Sequence, residues 1–164
     1  MDEIPATVIV VSDDIVQNLR EDRAGLVARE VLATHRARAD YQIVGDDVAA
    51  ITSGVQDALA AGSRLIVTVG GTGVGPTDVT VEAVAPLLSY QLPGIAEEIR
   101  RRGMETTSLS LVSRGIAGVI RSESGKPAVV LAAPGSRGGV RDAVSVVGPL
   151  LPYLVKQLDG GTTH

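Results

Sequence analysis

The chain has no cysteine, no tryptophan and no phenylalanine. Without thiols there can be no disulfides and no cysteine-based zinc or iron–sulfur site, and their absence fits a reducing compartment. Three tyrosines are the whole aromatic complement, so nothing offers a stacking platform for bases, and the core has to come from Val, Ile, Leu and Ala. Charge of one sign is also scarce. Fifteen basic residues against 19 acidic ones leave a net −4, which gives no pull toward a nucleic-acid backbone. No apolar run approaches the roughly 20 residues needed to cross a bilayer. Met1-Asp2-Glu3 lacks the basic start and apolar core of a secretory leader. The expectation is a cytoplasmic protein that binds neither nucleic acid nor membrane.

What is present suits a folded α/β protein. Hydrophobic residues at 45% against 21% charged mark a globular chain, since disordered chains are poorer in apolar residues. At 164 residues the chain reads as one domain over 1–164, with 160–164 expected to fray. A β-branched, aromatic-poor core suits strands buried on both faces, as in a parallel sheet covered by helices.

The pattern along the chain agrees. Ala6 to Ser12 reads as a buried strand between Pro5 and Asp13-Asp14. From Asp22 to Ala33, apolar residues at Ala24, Val27, Ala28 and Val31 mark one helix face. Tyr41 to Val44 is a short strand, Asp47 to Ala60 a helix, and Leu65 to Val69 a third strand. Helices are expected over Thr80 to Leu88 and over Ile95 to Arg102, the latter opened by Pro93-Gly94. Ser108 to Ile120 carries little pattern. Ala128 to Ala132 is the last strand, followed by a long helix that breaks near Pro149 and Pro152. Strand–helix alternation predicts a three-layer αβα sandwich around a mostly parallel sheet.

In such sheets ligands bind beyond the carboxyl ends of the strands. Those ends carry Ser12-Asp13-Asp14, Gly45-Asp46-Asp47, Gly70 to Asp78, and Pro134-Gly135-Ser136. Glycines let a backbone take positive φ and approach a ligand closely, and successive N–H groups in such a turn can converge on a phosphate. Thr72 and Thr77 add hydroxyls. The loop has neither the Lys-Ser/Thr of a P-loop nor the spacing of a dinucleotide fingerprint. It also fits a plain strand-to-helix turn with Asp78 capping the helix at Thr80. Asp46 and Asp78 could each be such a cap, or together hold Mg²⁺ beside phosphates. Ser136 could cap the final helix or help its N-terminus bind an anion. Asp13 is read as a turn cap, His35 and His164 as surface residues, and Arg100-Arg101-Arg102 as a solvated helix face.

Thr68-Val-Gly-Gly-Thr-Gly-Val-Gly-Pro-Thr-Asp-Val-Thr80 resembles the hallmark loop of the MogA/MoaB molybdopterin-binding family. Related motifs fall in the family's order at Ser12-Asp13, Asp22-Arg23-Ala24-Gly25, Gly45-Asp46-Asp47, Pro93-Gly94 with Glu97 and Arg100, Ser113-Arg114 with Gly118-Val119, and Pro134-Gly135-Ser136. The resemblance implies Mg²⁺- and ATP-dependent adenylylation of molybdopterin, in which the terminal phosphate attacks the α-phosphorus of ATP and pyrophosphate leaves. It implies Asp46 and Asp78 as catalytic carboxylates and Mg²⁺ ligands. It implies Gly70, Gly71, Thr72, Gly73, Ser113, Pro134, Gly135 and Ser136 as the binding residues. It also implies a homotrimer or hexamer, and hand-over to other molybdenum-cofactor enzymes. A non-catalytic molybdopterin-binding scaffold is the alternative within the family, and a Rossmann-like nucleotide binder the alternative outside it. Three features depart from the family pattern: Val81 and Gly45 where prolines are common, and a longer segment Asp14 to Glu21.

Overall fold

Alternation along the strands sorts the buried side chains into two layers. In β1 (Ile4–Val11), Ala6, Val8 and Val10 point into one cluster while Ile9 and Val11 point into the other. The same period of two divides β3 (Leu65–Val69) and β6 (Ala128–Ala133). Both faces are therefore apolar, and helices must cover both. A computed structural model describes residues 2–162 and shows that they do.

The remaining strands are β2 (Ala37–Val44), β4 (Tyr90–Gln91) and β5 (Ala117–Ile120). All six form one sheet in the order β2-β1-β3-β6-β5-β4. β2, β1, β3 and β6 run parallel, and β5 and β4 add an antiparallel edge. One face is covered by α2 (Ala24–Thr34), α5 (Pro93–Met104), α6 (Arg137–Val147) and α7 (Leu151–Leu158). The other is covered by α3 (Val48–Ala60) and α4 (Thr80–Val84). A four-residue helix, α1 (Asp13–Val16), follows β1 directly. This is the expected three-layer αβα sandwich. Among the described residues no helix is long and apolar enough to cross a membrane.

Several boundaries differ from the sequence pattern. β2 starts at Ala37, four residues before Tyr41, because an edge strand can alternate buried Ala37 and Ala39 with exposed Arg38 and Asp40. The weakly patterned stretch contains a 3₁₀ turn (Ser108–Val112) and β5, whose four residues are all buried and so show no alternation. The helix expected from Thr80 to Leu88 tightens into a 3₁₀ turn at Ala85–Leu87, where Pro86 lacks the N–H that an α-helix needs. The last helix breaks at the 3₁₀ turn Gly148–Leu150, as Pro149 suggests, and resumes as α7. His35 is half-buried, packed so tightly on Gly148 that a Cβ there would strike its ring. His164 lies outside the described residues.

Candidate functional site

β3 delivers the chain into a loop that is held by bonds on its outer side. Gly70 and Gly71 take φ of +103° and +72°, the left-handed region where a side chain is strained. A Cβ on Gly71 would also collide with the hydroxyl of Thr80. Thr80 is fully buried, donates its hydroxyl to Gly70 O at 2.8 Å and its N–H to Gly71 O at 3.1 Å. Arg114 straps the far side. Its Nε donates to Gly73 O (2.7 Å), its Nη2 to Asp78 O (2.9 Å) and its backbone N–H to Thr72 O (2.8 Å). Nη1 of Arg114 pairs with Glu82 at 2.7 Å. That hydrogen bond holds the Glu82 carboxyl below its ordinary value and raises the guanidinium above its own.

These contacts use the loop's carbonyls and leave its amides. Among the described residues the N–H groups of Gly71, Thr72, Gly73 and Val74 donate to no protein acceptor. The Thr72 hydroxyl likewise makes no hydrogen bond among the described residues, and it is open to the cavity. Val74 is exposed and water can serve its amide, but Gly71, Thr72 and Gly73 line the cavity. A run of open amides beside a cavity is what an anion requires.

The carboxylates face this loop from two directions. Asp46 and Asp13 bind each other reciprocally: Asp13 N–H donates to Asp46 Oδ2 at 3.0 Å, and Asp46 N–H to Asp13 Oδ1 at 2.9 Å. Neither residue is a helix cap. Ser12 caps α1 and Asp47 caps α3 through Ala50 N–H at 2.8 Å. Asp13 therefore lines the cavity and does not serve the turn. Gly45 makes the clasp possible, since a Cβ there would lie 2.6 Å from Asp13 Oδ1. Asp78 does not cap α4, whose preceding residue Val79 offers no side-chain bond. Instead Asp78 Oδ2 accepts the Gly75 N–H at 2.9 Å. Oδ1 of Asp46 and Oδ1 of Asp78 accept no hydrogen bond among the described residues. Asp22 is more committed, taking the Gly25 N–H at 3.0 Å and the Tyr41 hydroxyl. Burial and that bond both push the Tyr41 hydroxyl up.

Two cavities meet at the loop. The first, about 530 Å³, is bounded by Asp13, Asp46, Gly70 to Gly73, Asp78 and Gly135. It lies between the ends of β1 and β3, where the strand order reverses, as expected for open α/β sheets. The second, about 760 Å³, has more apolar walls, including Ile99, Leu109, Val112 and Pro134, together with Ser113 and Ser136. Thr72, Gly73 and Gly135 stand between the two. The sequence-expected residues are thus divided: Asp46, Asp78, Gly70 and Gly71 belong to the first cavity, and Ser113, Pro134 and Ser136 to the second. Ser136 Oγ accepts the Gly139 N–H at 3.1 Å and caps α6. Arg100 departs from the solvated face assigned to its run: it is half-buried, donates to Gly115 O at 2.8 Å and borders the second cavity. Only Arg101 and Arg102 form a surface network, with Glu98, which they hold at about 2. Arg114 and Thr80 were not singled out from the sequence as parts of the site. Arg114 falls within the Ser113-Arg114 motif and Thr80 closes the hallmark loop, but their roles rest on contacts, up to 41 residues long for Arg114, that no local pattern reveals.

Comparison with known proteins identifies the family. The family model "Probable molybdopterin binding domain" matches residues 7–153. A molybdenum cofactor biosynthesis bifunctional protein of Synechococcus elongatus is 37% identical over 161 residues, covering 96% of this chain and 49% of that protein. The chain thus spans about half the length of that relative. Molybdenum cofactor biosynthesis protein B of Staphylococcus carnosus is 34% identical, with 95% and 91% covered. The crystal structure of the tungsten cofactor synthesizing protein MoaB from Pyrococcus furiosus superposes with a TM-score of 0.87 at 28% identity, covering 96% and 98% of the two chains. An αβα sheet with its glycine loop at the switch point, matched by sequence over nearly its whole length, places this chain in the molybdopterin-binding family of molybdenum cofactor biosynthesis, of the MogA/MoaB type.

Proposed function

We infer that the protein is a molybdopterin adenylyltransferase, joining AMP from ATP to the terminal phosphate of molybdopterin and releasing pyrophosphate. The observation that carries this reading is the run of open amides at Gly71, Thr72 and Gly73 in one cavity with the carboxylates of Asp46 and Asp78. In this reading the reacting phosphates meet in the polar cavity, and the pterin ring occupies the larger, more apolar one beside Ser113 and Pro134.

The chemistry suits the residues at hand. One phosphate oxygen forms a bond to the α-phosphorus of ATP while the bond to the β-phosphate oxygen breaks. A phosphate monoester has its second pKa near 6, so it is mostly dianionic at neutral pH and needs no base. Transfer then demands alignment and neutralisation of charge. The amides of the loop and the Thr72 hydroxyl bind phosphate oxygens. The Arg114 strap holds the loop in the conformation that presents them. Asp46 and Asp78 orient what binds between them.

Mg²⁺ fits as a shared ion and not as a resident one. Among the described residues no three His, Asp or Glu side chains gather as a metal site. Mg²⁺ is usually held by one or two carboxylates plus substrate phosphates, and Asp46 Oδ1 and Asp78 Oδ1 are open for this. When bound it would neutralise phosphate charge. Incubation with molybdopterin, ATP and Mg²⁺, read by mass, should give adenylyl-molybdopterin only when all three are present. Failure of the pure, folded protein to form product would remove the reading.

A second reading, a non-catalytic pterin carrier for other molybdenum-cofactor enzymes, draws on the structural bond that each carboxylate makes. It predicts tight molybdopterin binding without product. The homotrimer or hexamer implied by the family resemblance is proposed on the same footing, with sedimentation as its test.

A further inference from the structure

A third cavity of about 430 Å³ opens beside the polar one, and its charge is the opposite. Arg20, Arg23 and Arg137 all line it. None of the three forms an ion pair among the described residues, whereas Arg114, which straps the glycine loop, holds Glu82. Arg20 makes one bond, to the neutral Ser12 hydroxyl at 3.0 Å. Glu21 borders the same space and pairs with none of them. The three are exposed, so their mutual repulsion is screened, but a cleft lined mainly by one sign of charge attracts the opposite one. Guanidinium forks are well matched to phosphate oxygens.

The cavity is not isolated. Arg20, Ala24 and Gly135 border both it and the polar cavity. A ligand whose metal-binding portion lies between Asp46 and Asp78 can therefore extend its far end toward the arginines. Arg20 also belongs to Asp14–Glu21, the segment in which this chain departs from the family pattern. Resting on the phosphate-transfer reading of the neighbouring cavity, we propose that Arg20, Arg23 and Arg137 form an anion subsite that receives a pyrophosphate-type group. That group is either the β,γ-phosphates of the nucleotide or the terminal phosphate of the pterin. With the nucleotide tail there the subsite would stabilise charge on the departing pyrophosphate; with the pterin phosphate there it would position the attacking oxygen.

Calorimetric titration with inorganic pyrophosphate tests this on the full chain. The wild type should bind. Arg23→Gln with Arg137→Gln should weaken binding about tenfold or more, the scale of one lost charged hydrogen bond. Arg137→Lys, which keeps the charge and loses the fork, should fall between. Melting curves establish that the variants fold; should the double variant not, Arg20→Gln and Arg137→Lys carry the comparison. ATP affinity falling while AMP affinity holds assigns the subsite to the nucleotide tail, and molybdopterin affinity falling alone assigns it to the pterin phosphate. No pyrophosphate binding by the wild type, or equal binding by wild type and folded variants, overturns the subsite. Pyrophosphate binding that depends on the arginines, with no adenylyl product from the wild type, would overturn the transferase reading alone. Normal turnover in variants that bind pyrophosphate as the wild type does would overturn the subsite alone.

Discussion

Gly45 and Asp13 occupy each other's space. With Asp13 Oδ1 standing 2.6 Å from where a Cβ would lie, Gly45→Ala should drive the carboxylate out and break its bond to the Asp46 N–H, leaving the clasp with the Asp13 N–H to Asp46 bond alone. The expected cost is about 1–2 kcal/mol in urea unfolding. Part of it should return in the Gly45→Ala, Asp13→Ala double variant, because the collision goes with the carboxylate. The same clasp gives a physical account of a glycine where the family commonly has proline. Gly71→Ala should cost about 1–3 kcal/mol, since φ is +72° and Thr80 blocks the added methyl. Asp78→Asn and Asp46→Ala should reduce turnover far more than melting temperature, and parallel losses of both would mark the carboxylates as structural. The positions of Asp46 and Asp78 were legible because strand ends carry ligands. Their bonds were not, because Asp13 meets Asp46 across 33 residues.

Elements are joined by a few polar ties that hydrophobic periodicity does not reveal. Arg64, just before β3, has a side chain only 6% exposed, and it reaches Pro127 O and, through two bonds, Asp159 beyond α7. The hydrogen bond from Arg64 lowers the Asp159 carboxyl. A carboxyl lowered in the folded state stabilises the protein above its unfolded value, about 3.9. That contribution disappears as pH falls through the folded value. Asp159→Asn should therefore cost about 1–2 kcal/mol at neutral pH, held to that range by solvent around the 42%-exposed carboxylate. The gap between variant and wild type should close on acidification below about pH 4. A gap independent of pH would assign the loss to packing. Arg114→Ala, cutting the strap on the glycine loop, should lower turnover on the order of 10²-fold by misplacing the loop amides. The main strands and helices could be read from the sequence because their buried faces repeat every two or 3.6 residues. β4 could not, being two exposed residues, and β5 could not, being buried throughout.

At the scale of the molecule, the sheet order sends β2 to one side of β1 and β3 to the other, and the polar cavity opens where they part. The carboxyl edge of the sheet was legible from the strand–helix alternation; the place along it was not, because it depends on the strand order. Nor was the division of the site into separate cavities, because it depends on how the segment from Ser108 to Arg114 folds over α5. This segment leaves Leu109 and Leu111 about 70% exposed, at 71% and 68%, with Met104 nearby. If the proposed assembly buries them, Leu111→Asp should sediment as a smaller species than the wild type, and unchanged mass would place the contact elsewhere. Among the described residues Gly135 alone borders the acidic cavity, the apolar one and the arginine-lined one. A Cβ there would come within 3.2 Å of Gly70 Cα. A small molecule seated over that junction would obstruct all three chambers at once, so it would exclude the occupant of each and be displaced by an excess of any one of them.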